Sequence, residues 1–480
     1  MKRASKTPDT ASKGREPLSE PHTNGVAKAS NKTSWAESNG IGDRDGFMGL
    51  SGAAGHAVAL LGTVVLLVGC PAFVFVLWYI NCRLDGSVSE FVALAAREGA
   101  VGLWQRWPTP TAEAWAIIGT FGAVEAFLQL ALPGKKFLGP VSPKGNVPVY
   151  KANGMQAYVT TLVLFFAVWG SGIYNPARVY DLMGEILAAL NIFSLLFCLF
   201  LNIKGHVAPS STDSGSTGSL LYDYYWGMEL YPRIGRSFDI KTWTNCRVGM
   251  MGWGILILCY AAKQVEEAGF LSDSMAVSVI LMHVYIAKFF WWETGYWKTM
   301  DIMHDRAGYY ICWGCLVWIP SMYTSPTMFL VKHPMVLGPT LTGAVLAAGL
   351  LCIYINYDAD RQRQVFRESN GKALIWGRKP KKIEAQYTTA DGQTKTSLLL
   401  VSGWWGVSRH FHYLPEILAS VFWSVPAQTD YAMAYLYSAY LTILLVDRAF
   451  RDDLRCASKY GKHWVEYCRQ VPHKIVPYIF

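Results

Sequence analysis

Arg363 and Arg367 stand four positions apart, so on a helix both guanidinium groups lie on one face. Two planar guanidinium groups side by side suit the oxygens of a phosphate. The same spacing is typical of a basic patch that meets anionic lipid beside a membrane, and taken alone it favours the lipid interpretation. The pair therefore predicts an anion-binding face, with a nucleotide phosphate or a lipid headgroup as its ligand.

A second basic and aromatic stretch lies near the end of the chain and includes Asp452, Lys459 and Tyr460. In a nucleotide site the Asp452 carboxylate would accept from ribose hydroxyls, Lys459 would contact phosphate and Tyr460 would stack on a base. The same composition is typical of an interfacial helix whose long basic side chains reach the headgroups. The pattern leaves both interpretations open.

Two short motifs resemble cofactor or metal signatures but lack the context that those signatures need. Gly170-Ser171-Gly172 lies in an apolar segment without a third glycine, so it predicts no Rossmann domain. Cys312 and Cys315 form one C-x-x-C pair without a second, which favours packing over metal or redox chemistry. We therefore predict no metal site, and any nucleotide must be held by side-chain cations.

The elements that must position these residues are membrane helices. Of the 480 residues, 52% are hydrophobic and 16% are charged, against about 25% charged in a typical soluble protein. Crossing the hydrocarbon core takes roughly 20 mostly apolar residues. The sequence predicts an all-α polytopic membrane protein with about ten transmembrane helices, at 55–80, 113–133, 156–175, 182–203, 247–263, 275–293, 307–330, 335–356, 404–425 and 430–447.

Two of these ten segments are weaker than the others. Segment 307–330 contains two prolines, and segment 404–425 is interrupted by Arg409, His410 and His412. Eight or nine spans therefore stay open as alternatives to ten.

The distribution of lysine and arginine predicts the orientation of the chain. With the N-terminal tail in the cytosol, the loops on that side carry most of the basic residues. We therefore predict both termini in the cytosol, a disordered tail over 1–47 and a membrane domain over 48–480. The net charge of +9 belongs to these loops rather than to one soluble face, so we predict a lipid bilayer and no nucleic acid as partner.

Ionisable residues within or beside membrane segments are costly and usually mark function. The first four predicted spans contain few of them, with Glu125 and Glu185 as exceptions. The others gather late in the chain, at Lys288, Glu293, Asp301, His304, Asp305, 409–412 and 447–453. The part from about 275 to 480 is therefore predicted to carry the chemistry, and the N-terminal half to act as scaffold.

Several stretches of the chain resemble the sterol reductase family. Residues 218–233, GSLLYDYYWGMELYPR, and 445–461, LVDRAFRDDLRCASKYG, are similar to its two signatures. Residues 366–371, 374–380, 387–388 and 390–393 are similar to its 7-dehydrocholesterol reductase branch. The resemblance runs from about residue 55 to Phe480. It implies an enzyme of the endoplasmic reticulum membrane that binds a sterol and NADPH.

The resemblance also implies which residues contact NADPH, on the cytosolic side of the C-terminal helices. These are Arg363, Arg367, Leu400, Trp405, His412, Tyr413, Asp452, Cys456, Ala457, Ser458, Lys459, Tyr460 and Tyr467. With the resemblance added, the phosphate interpretation of the arginine pair is favoured over the lipid one. His412 and Lys288 depart from the family pattern, in which Asn and Asp are common at these two places.

The reaction implied by the resemblance is saturation of the C7–C8 double bond of a 5,7-diene sterol, with a proton added at C8 and a hydride at C7. A tyrosine at the place of Tyr285 is associated with the sterol in this family, so Tyr285 is the candidate acid. A phenol with a pKa of about 10 is a weak acid and needs a relay. Glu293, Asp301, His304 and Asp305 are relay candidates, although capping of helix ends explains Glu293 and Asp301 as well.

Two other functions stay open at this point. One is reduction of a sterol C14–C15 double bond, and the other is sterol binding by a receptor without catalysis. Residues 376–380 and 390–393 favour the C7 branch, and Arg367, Asp452 and Tyr460 favour a retained cofactor site. A transporter is disfavoured because the chain has no internal repeat. Other membrane enzymes of the sterol pathway are candidate partners.

Overall fold

A computed structural model describes residues 52–480 except 143, 389–393 and 430. The predicted tail over 1–47 lies outside the described residues, so its disorder stays a prediction. Within the described part the chain is mostly helical and carries three two-stranded antiparallel hairpins. The predicted helical membrane class is confirmed, whereas the hairpins were not foreseen.

The α-helices run in chain order as α1 (Gly52–Arg83), α2 (Val88–Gln105), α3 (Ala112–Ala131), α4 (Gly154–Gly170), α5 (Ala177–Asp181), α6 (Met183–Val207), α7 (Leu220–Trp226), α8 (Met251–Ala268), α9 (Asp273–Trp291), α10 (Glu293–Tyr296), α11 (Met300–Met303), α12 (Ser325–Leu330), α13 (Gly338–Glu368), α14 (Tyr413–Ser424), α15 (Leu436–Tyr460) and α16 (Lys462–Gln470). Two π-helical stretches are Thr242–Met250, which continues into α8, and Tyr309–Tyr323. Short 3₁₀ turns lie at Gly403–Gly406, Val425–Ala427 and Ala432–Tyr435.

The hairpins are β1 (Lys135–Leu138) with β2 (Val149–Ala152), β3 (Arg233–Ile234) with β4 (Phe238–Asp239), and β5 (Lys382–Thr388) with β6 (Thr394–Leu400). In the last of these, Lys382 lies opposite Leu400 and Thr388 opposite Thr394.

Within the described residues six helical stretches are long and apolar enough to cross a membrane: Ala59–Arg83, Ala112–Ala131, Met183–Val207, Thr242–Ala268, Asp273–Trp291 and Gly338–Glu368. The chain is therefore a multi-pass membrane protein. All ten predicted segments overlap helical structure, but four do not reach this length and apolarity. At about 1.5 Å per residue, α4 is about 25 Å long and α14 about 18 Å, both shorter than a hydrocarbon core of about 30 Å. A count of ten crossings stays a prediction.

The connection between α8 and α9 shows how polar groups end and begin buried helices here. Gly269 ends α8 with a φ of 79°, a left-handed conformation that glycine adopts at low cost. Ser272 then accepts a hydrogen bond from the Met275 amide at the start of α9. The Gln264 side chain accepts from the Ser272 amide at 2.9 Å and donates to the Leu330 carbonyl at 2.6 Å. The buried side chains of Gln264 and Ser272 beside this turn are therefore paired.

Hairpin β5–β6 packs against α15 and α16 and forms a second hydrophobic core outside the main bundle. Its buried members are Ala385, Leu399, Val401, Cys456, Tyr460, Trp464, Tyr467 and Val471. The C-terminal segment pairs with the loop before α14, because the Arg409 amide donates to the His473 carbonyl and the His410 amide to that of Lys474. Arg409 and His410 also lie 3.6 Å from Asp453 and 3.9 Å from Asp452, respectively, which places this loop beside α15.

Candidate active site

Helix α13 brings the arginine pair of the sequence prediction to one side of this second core. The Arg363 guanidinium donates to Asp360 at 3.1 Å, and its carbon lies 4.2 Å from the centroid of the Trp405 ring. The Trp405 indole is fixed by donating to the Ala359 carbonyl at 2.7 Å. Arg367 is exposed, and within the described residues its side chain has no hydrogen bond or ion pair. One arginine is therefore held in place and the other is available to an anion.

Four more of the predicted cofactor residues surround Trp405. The His412 ring lies 4.9 Å from the Trp405 ring and 4.2 Å from the Tyr413 ring, between centroids. The Tyr467 hydroxyl donates to the Trp405 carbonyl at 3.3 Å. Leu400 packs in a small apolar cluster with Trp405. The fold thus gathers side chains from five separate elements at one place.

The remaining predicted cofactor residues lie on α15. Asp452 accepts from the Arg455 guanidinium, and its other oxygen lies 3.9 Å from the His410 ring nitrogen. Cys456 and Tyr460 face the second core, whereas Ala457, Ser458 and Lys459 are exposed. The edge of Tyr460 meets Tyr387 of the hairpin, with ring centroids 5.7 Å apart. The Lys459 ammonium lies 4.2 Å from the Tyr387 centroid, so a second available cation stands beside an aromatic face.

Tyr285, on α9, lies among aromatic rings in the main bundle. The centroid of its ring is 5.7 Å from that of Trp253 and 5.6 Å from that of Trp423. Trp423 stacks on Tyr437 at 5.9 Å. The indole nitrogens of Trp253 and Trp423 are buried and have no hydrogen-bond partner within the described residues. Since buried donors usually have a partner, these two nitrogens are candidates for contact with a bound ligand.

A hydrogen-bonded network joins Tyr285 to the cluster around Trp405. The Tyr285 hydroxyl donates to Glu416 Oε1 at 2.9 Å. The Lys288 ammonium donates to the Asn356 side-chain oxygen at 2.6 Å. The Asn356 nitrogen donates to the His412 carbonyl at 2.9 Å and to Glu416 Oε2 at 3.4 Å. Asn356 and Arg363 lie on the same helix, α13, so the candidate acid and the candidate cofactor site share one element.

Glu293 is engaged elsewhere in the bundle. Its Oε1 lies 2.6 Å from the buried Arg247 guanidinium, and its Oε2 accepts from the Gly154 amide at 2.8 Å. Gly154 is the first residue of α4, so Glu293 holds the start of a helix, as the capping alternative predicted. Within the described residues it makes no hydrogen bond to Tyr285.

The other relay candidates form a row against α15. The Arg448 guanidinium donates to Asp301 at 2.6 Å, and that of Arg451 donates to Asp305 at 3.1 Å. The Arg455 guanidinium lies 2.6 Å from the His304 ring nitrogen. Burial and then the Arg455 charge lower the pKa of His304 to about 3, so the ring is neutral and accepts from Arg455. Burial raises the pKa of Asp305, against the opposing effect of Arg451. This row holds the segment after α10 against the helix that carries Asp452.

The chain is similar over most of its length to known proteins of sterol biosynthesis. The model of the ergosterol biosynthesis ERG4/ERG24 family matches residues 59–480. The chain belongs to this family. The 7-dehydrocholesterol reductase of Arabidopsis thaliana is 61% identical over 415 residues, covering 86% of this chain and 96% of the relative. That of Xenopus laevis is 37% identical over 83% of this chain and 87% of its own.

A Delta(14)-sterol reductase of Methylotuvimicrobium alcaliphilum is 33% identical, over 87% of this chain and 94% of its own length. The resemblance inferred from the sequence motifs is therefore confirmed at the level of the family.

In this ERG4/ERG24 family member, sequence reasoning missed Glu416 and the two tryptophans beside Tyr285. Glu416 is an acidic residue inside a predicted membrane segment, which is the signal that could have found it. In that segment the prediction considered only the polar residues at its start, Arg409, His410 and His412. Trp253 and Trp423 carry no comparable signal, because aromatic residues are frequent throughout this chain.

Proposed function

We propose that the protein is an NADPH-dependent reductase of the C7–C8 double bond of 5,7-diene sterols. The observation that carries the proposal is the 61% identity with the Arabidopsis thaliana 7-dehydrocholesterol reductase over most of both chains. The Delta(14)-sterol reductase compared above is 33% identical, which makes the C14–C15 bond the second candidate. The enzyme acts in the endoplasmic reticulum membrane with both termini in the cytosol, as the basic loops favour.

The cluster around Trp405 fits a dinucleotide with phosphate groups. Arg367 and Lys459 are exposed cations, and Arg363 is already oriented by Asp360 and the Trp405 ring. Guanidinium groups bind phosphate oxygens through paired hydrogen bonds, which suits Arg363 and Arg367. Asp452 is the candidate acceptor for ribose hydroxyls. NADPH supplies a hydride when it is bound.

The aromatic surroundings of Tyr285 suit the sterol ring that is reduced. Addition of a proton at C8 leaves a positive charge at C7 that is allylic to the remaining C5–C6 double bond. The rings of Trp253 and Trp423, which pack beside Tyr285, are suited to stabilise such a charge through their quadrupoles. The same rings exclude water that would otherwise capture the cation. Tyr285 is the proposed proton donor, since it carries a hydroxyl and its ring packs against these rings.

Product analysis with purified protein tests the proposal. The protein is incubated with a 5,7-diene sterol or an 8,14-diene sterol, each with NADPH or NADH, and products are identified by mass and retention. We expect the 5,7-diene to gain two hydrogens at C7 and C8 with NADPH. Tyr285→Phe is the control, because it keeps the ring and removes the proton donor. Conversion of the 8,14-diene alone would assign the second candidate, and conversion of neither sterol would contradict reductase activity.

A further inference from the structure

A weak acid needs a supply of protons, and within the described residues Tyr285 has one hydrogen-bonded neighbour that can hold a proton. Its hydroxyl lies 2.9 Å from Glu416 Oε1. A hydroxyl both donates and accepts, and a protonated carboxyl donates, so this bond can run in either direction. The relay candidates Glu293, Asp301 and His304 are bound to Arg247, Arg448 and Arg455 instead.

We propose that Glu416 is a positioning residue that orients the Tyr285 hydroxyl and returns a proton to it in each turnover. The inference rests on the proposed sterol reduction and names the source of the proton that this reaction consumes. Asn356 holds the second oxygen of Glu416, and it links this oxygen to the ammonium of Lys288.

The proton transfers balance as follows. The O–H bond of Tyr285 breaks as the C8–H bond of the sterol forms, and the O–H bond of Glu416 breaks as the phenol is restored. The electron pair at C7 arrives with the hydride from the reduced nicotinamide cofactor. Glu416 is left as a carboxylate, stabilised by the nearby Lys288 ammonium, and it then takes a proton from water. One hydride and one proton are thus consumed for each double bond.

Lys288 also contacts the candidate acid itself, since its nitrogen lies 4.4 Å from the centroid of the Tyr285 ring. The same ammonium is therefore held between the ring of the candidate acid and Asn356, which contacts Glu416. The side chains that act electrostatically on Glu416 come from helices α9, α13, α14 and α15: Tyr285, Lys288, Asp360, Tyr413, Tyr437 and Arg448.

Glu416→Gln tests the inference, because an amide oxygen still accepts the hydrogen bond from Tyr285 but the amide has no acidic proton to return. We expect kcat to fall by about 10²-fold or more, with the sterol KM and NADPH binding nearly unchanged. The wild-type kcat should decline as pH rises and Glu416 loses its proton. This decline should be absent from the Gln variant.

Two variants on the same helix serve as controls. Ser420→Ala removes a hydroxyl that donates to the Ile417 carbonyl at 2.6 Å, one turn from Glu416, and should keep wild-type turnover. Glu416→Asp keeps a titratable carboxyl and should keep the decline of kcat with pH. NADPH titration by fluorescence and thermal unfolding in detergent report whether each variant is folded.

The outcomes separate this inference from the proposed function. If the wild-type protein converts the sterol and the folded Glu416→Gln variant is equally active, the inference is overturned and the reductase assignment stays intact. If the Gln variant does not fold, a folded Asp variant without the decline in kcat with pH would overturn it as well. Absence of sterol conversion by the wild-type protein would overturn both.

Discussion

Replacing Arg367 with alanine removes an exposed guanidinium that has no hydrogen bond or ion pair within the described residues. The substitution therefore breaks no side-chain hydrogen bond or ion pair within the described residues, and thermal unfolding should stay close to its wild-type temperature. The expected loss is therefore a loss of affinity for an anionic ligand. Arg363 is a less suitable target, because it also contacts Asp360 and Trp405.

The size of the effect follows from the strength of one charge-assisted contact. Hydrogen bonds to charged groups contribute about 1.5–3 kcal/mol, and about 1.4 kcal/mol corresponds to a tenfold change in affinity. The dissociation constant of NADPH should therefore rise roughly ten- to hundredfold in Arg367→Ala. The KM of the sterol should change little, because Tyr285 and its neighbours lie in the main bundle.

The assay is a fluorescence titration of NADPH onto the purified protein, repeated with NADH. The matched control is Arg378→Ala, which removes the same charge from an exposed arginine that also has no side-chain partner within the described residues. Loss restricted to NADPH would assign Arg367 to the 2′-phosphate, and equal loss for both cofactors would assign it to the pyrophosphate. Unchanged affinity for NADPH would refute the reasoning and return Arg367 to the lipid-contact interpretation.

Three further predictions concern the acid, the buried ion pair and the neutral histidine. Tyr285→Phe should lower kcat and kcat/KM together by roughly 10²–10⁴-fold while NADPH still binds, and steady-state kinetics showing near-normal turnover would exclude the phenol as proton donor. Glu293→Gln leaves the buried Arg247 charge without its partner, so stability should fall by about 3–5 kcal/mol in a thermal unfolding measurement, while activity per folded molecule is kept. Lost turnover without lost stability would restore Glu293 to the relay. His304 has a folded pKa of about 3 against an ordinary value of 6.5, so the unfolded chain binds more protons between these values. Stability should accordingly fall as pH decreases from 6.5 towards 3, and His304→Gln should reduce that dependence in unfolding scans at several pH values.

The helical membrane class could be predicted, because the apolar length of a segment is a local property of the sequence. Every predicted segment overlaps a helix, yet the number of crossings does not follow from these patterns. Segment 404–425 shows the reason, since part of it forms a 3₁₀ turn and a loop that pairs with the C-terminal segment. Apolar residues in such a segment serve contacts between elements as well as contacts with lipid.

The candidate cofactor site was predicted residue by residue through the family motifs, and the structure gathers most of those residues around Trp405 and α15. The partners of the candidate acid could not be obtained in this way. Glu293, Asp301 and His304 are close to Tyr285 in sequence but bind arginines of other elements. Glu416 is 131 positions away in sequence and contacts Tyr285 directly.

The sequence by itself determined the helical membrane class, the family and the chemical types of the residues at the candidate site. Each of these depends on composition, periodicity or motifs that are read along the chain. The tertiary structure decided which acidic group reaches Tyr285, which arginine is available to an anion, and which charged residues stabilise the fold. These outcomes depend on the packing of α9, α13, α14 and α15, because hydrogen bonds of about 3 Å join side chains that are far apart in sequence.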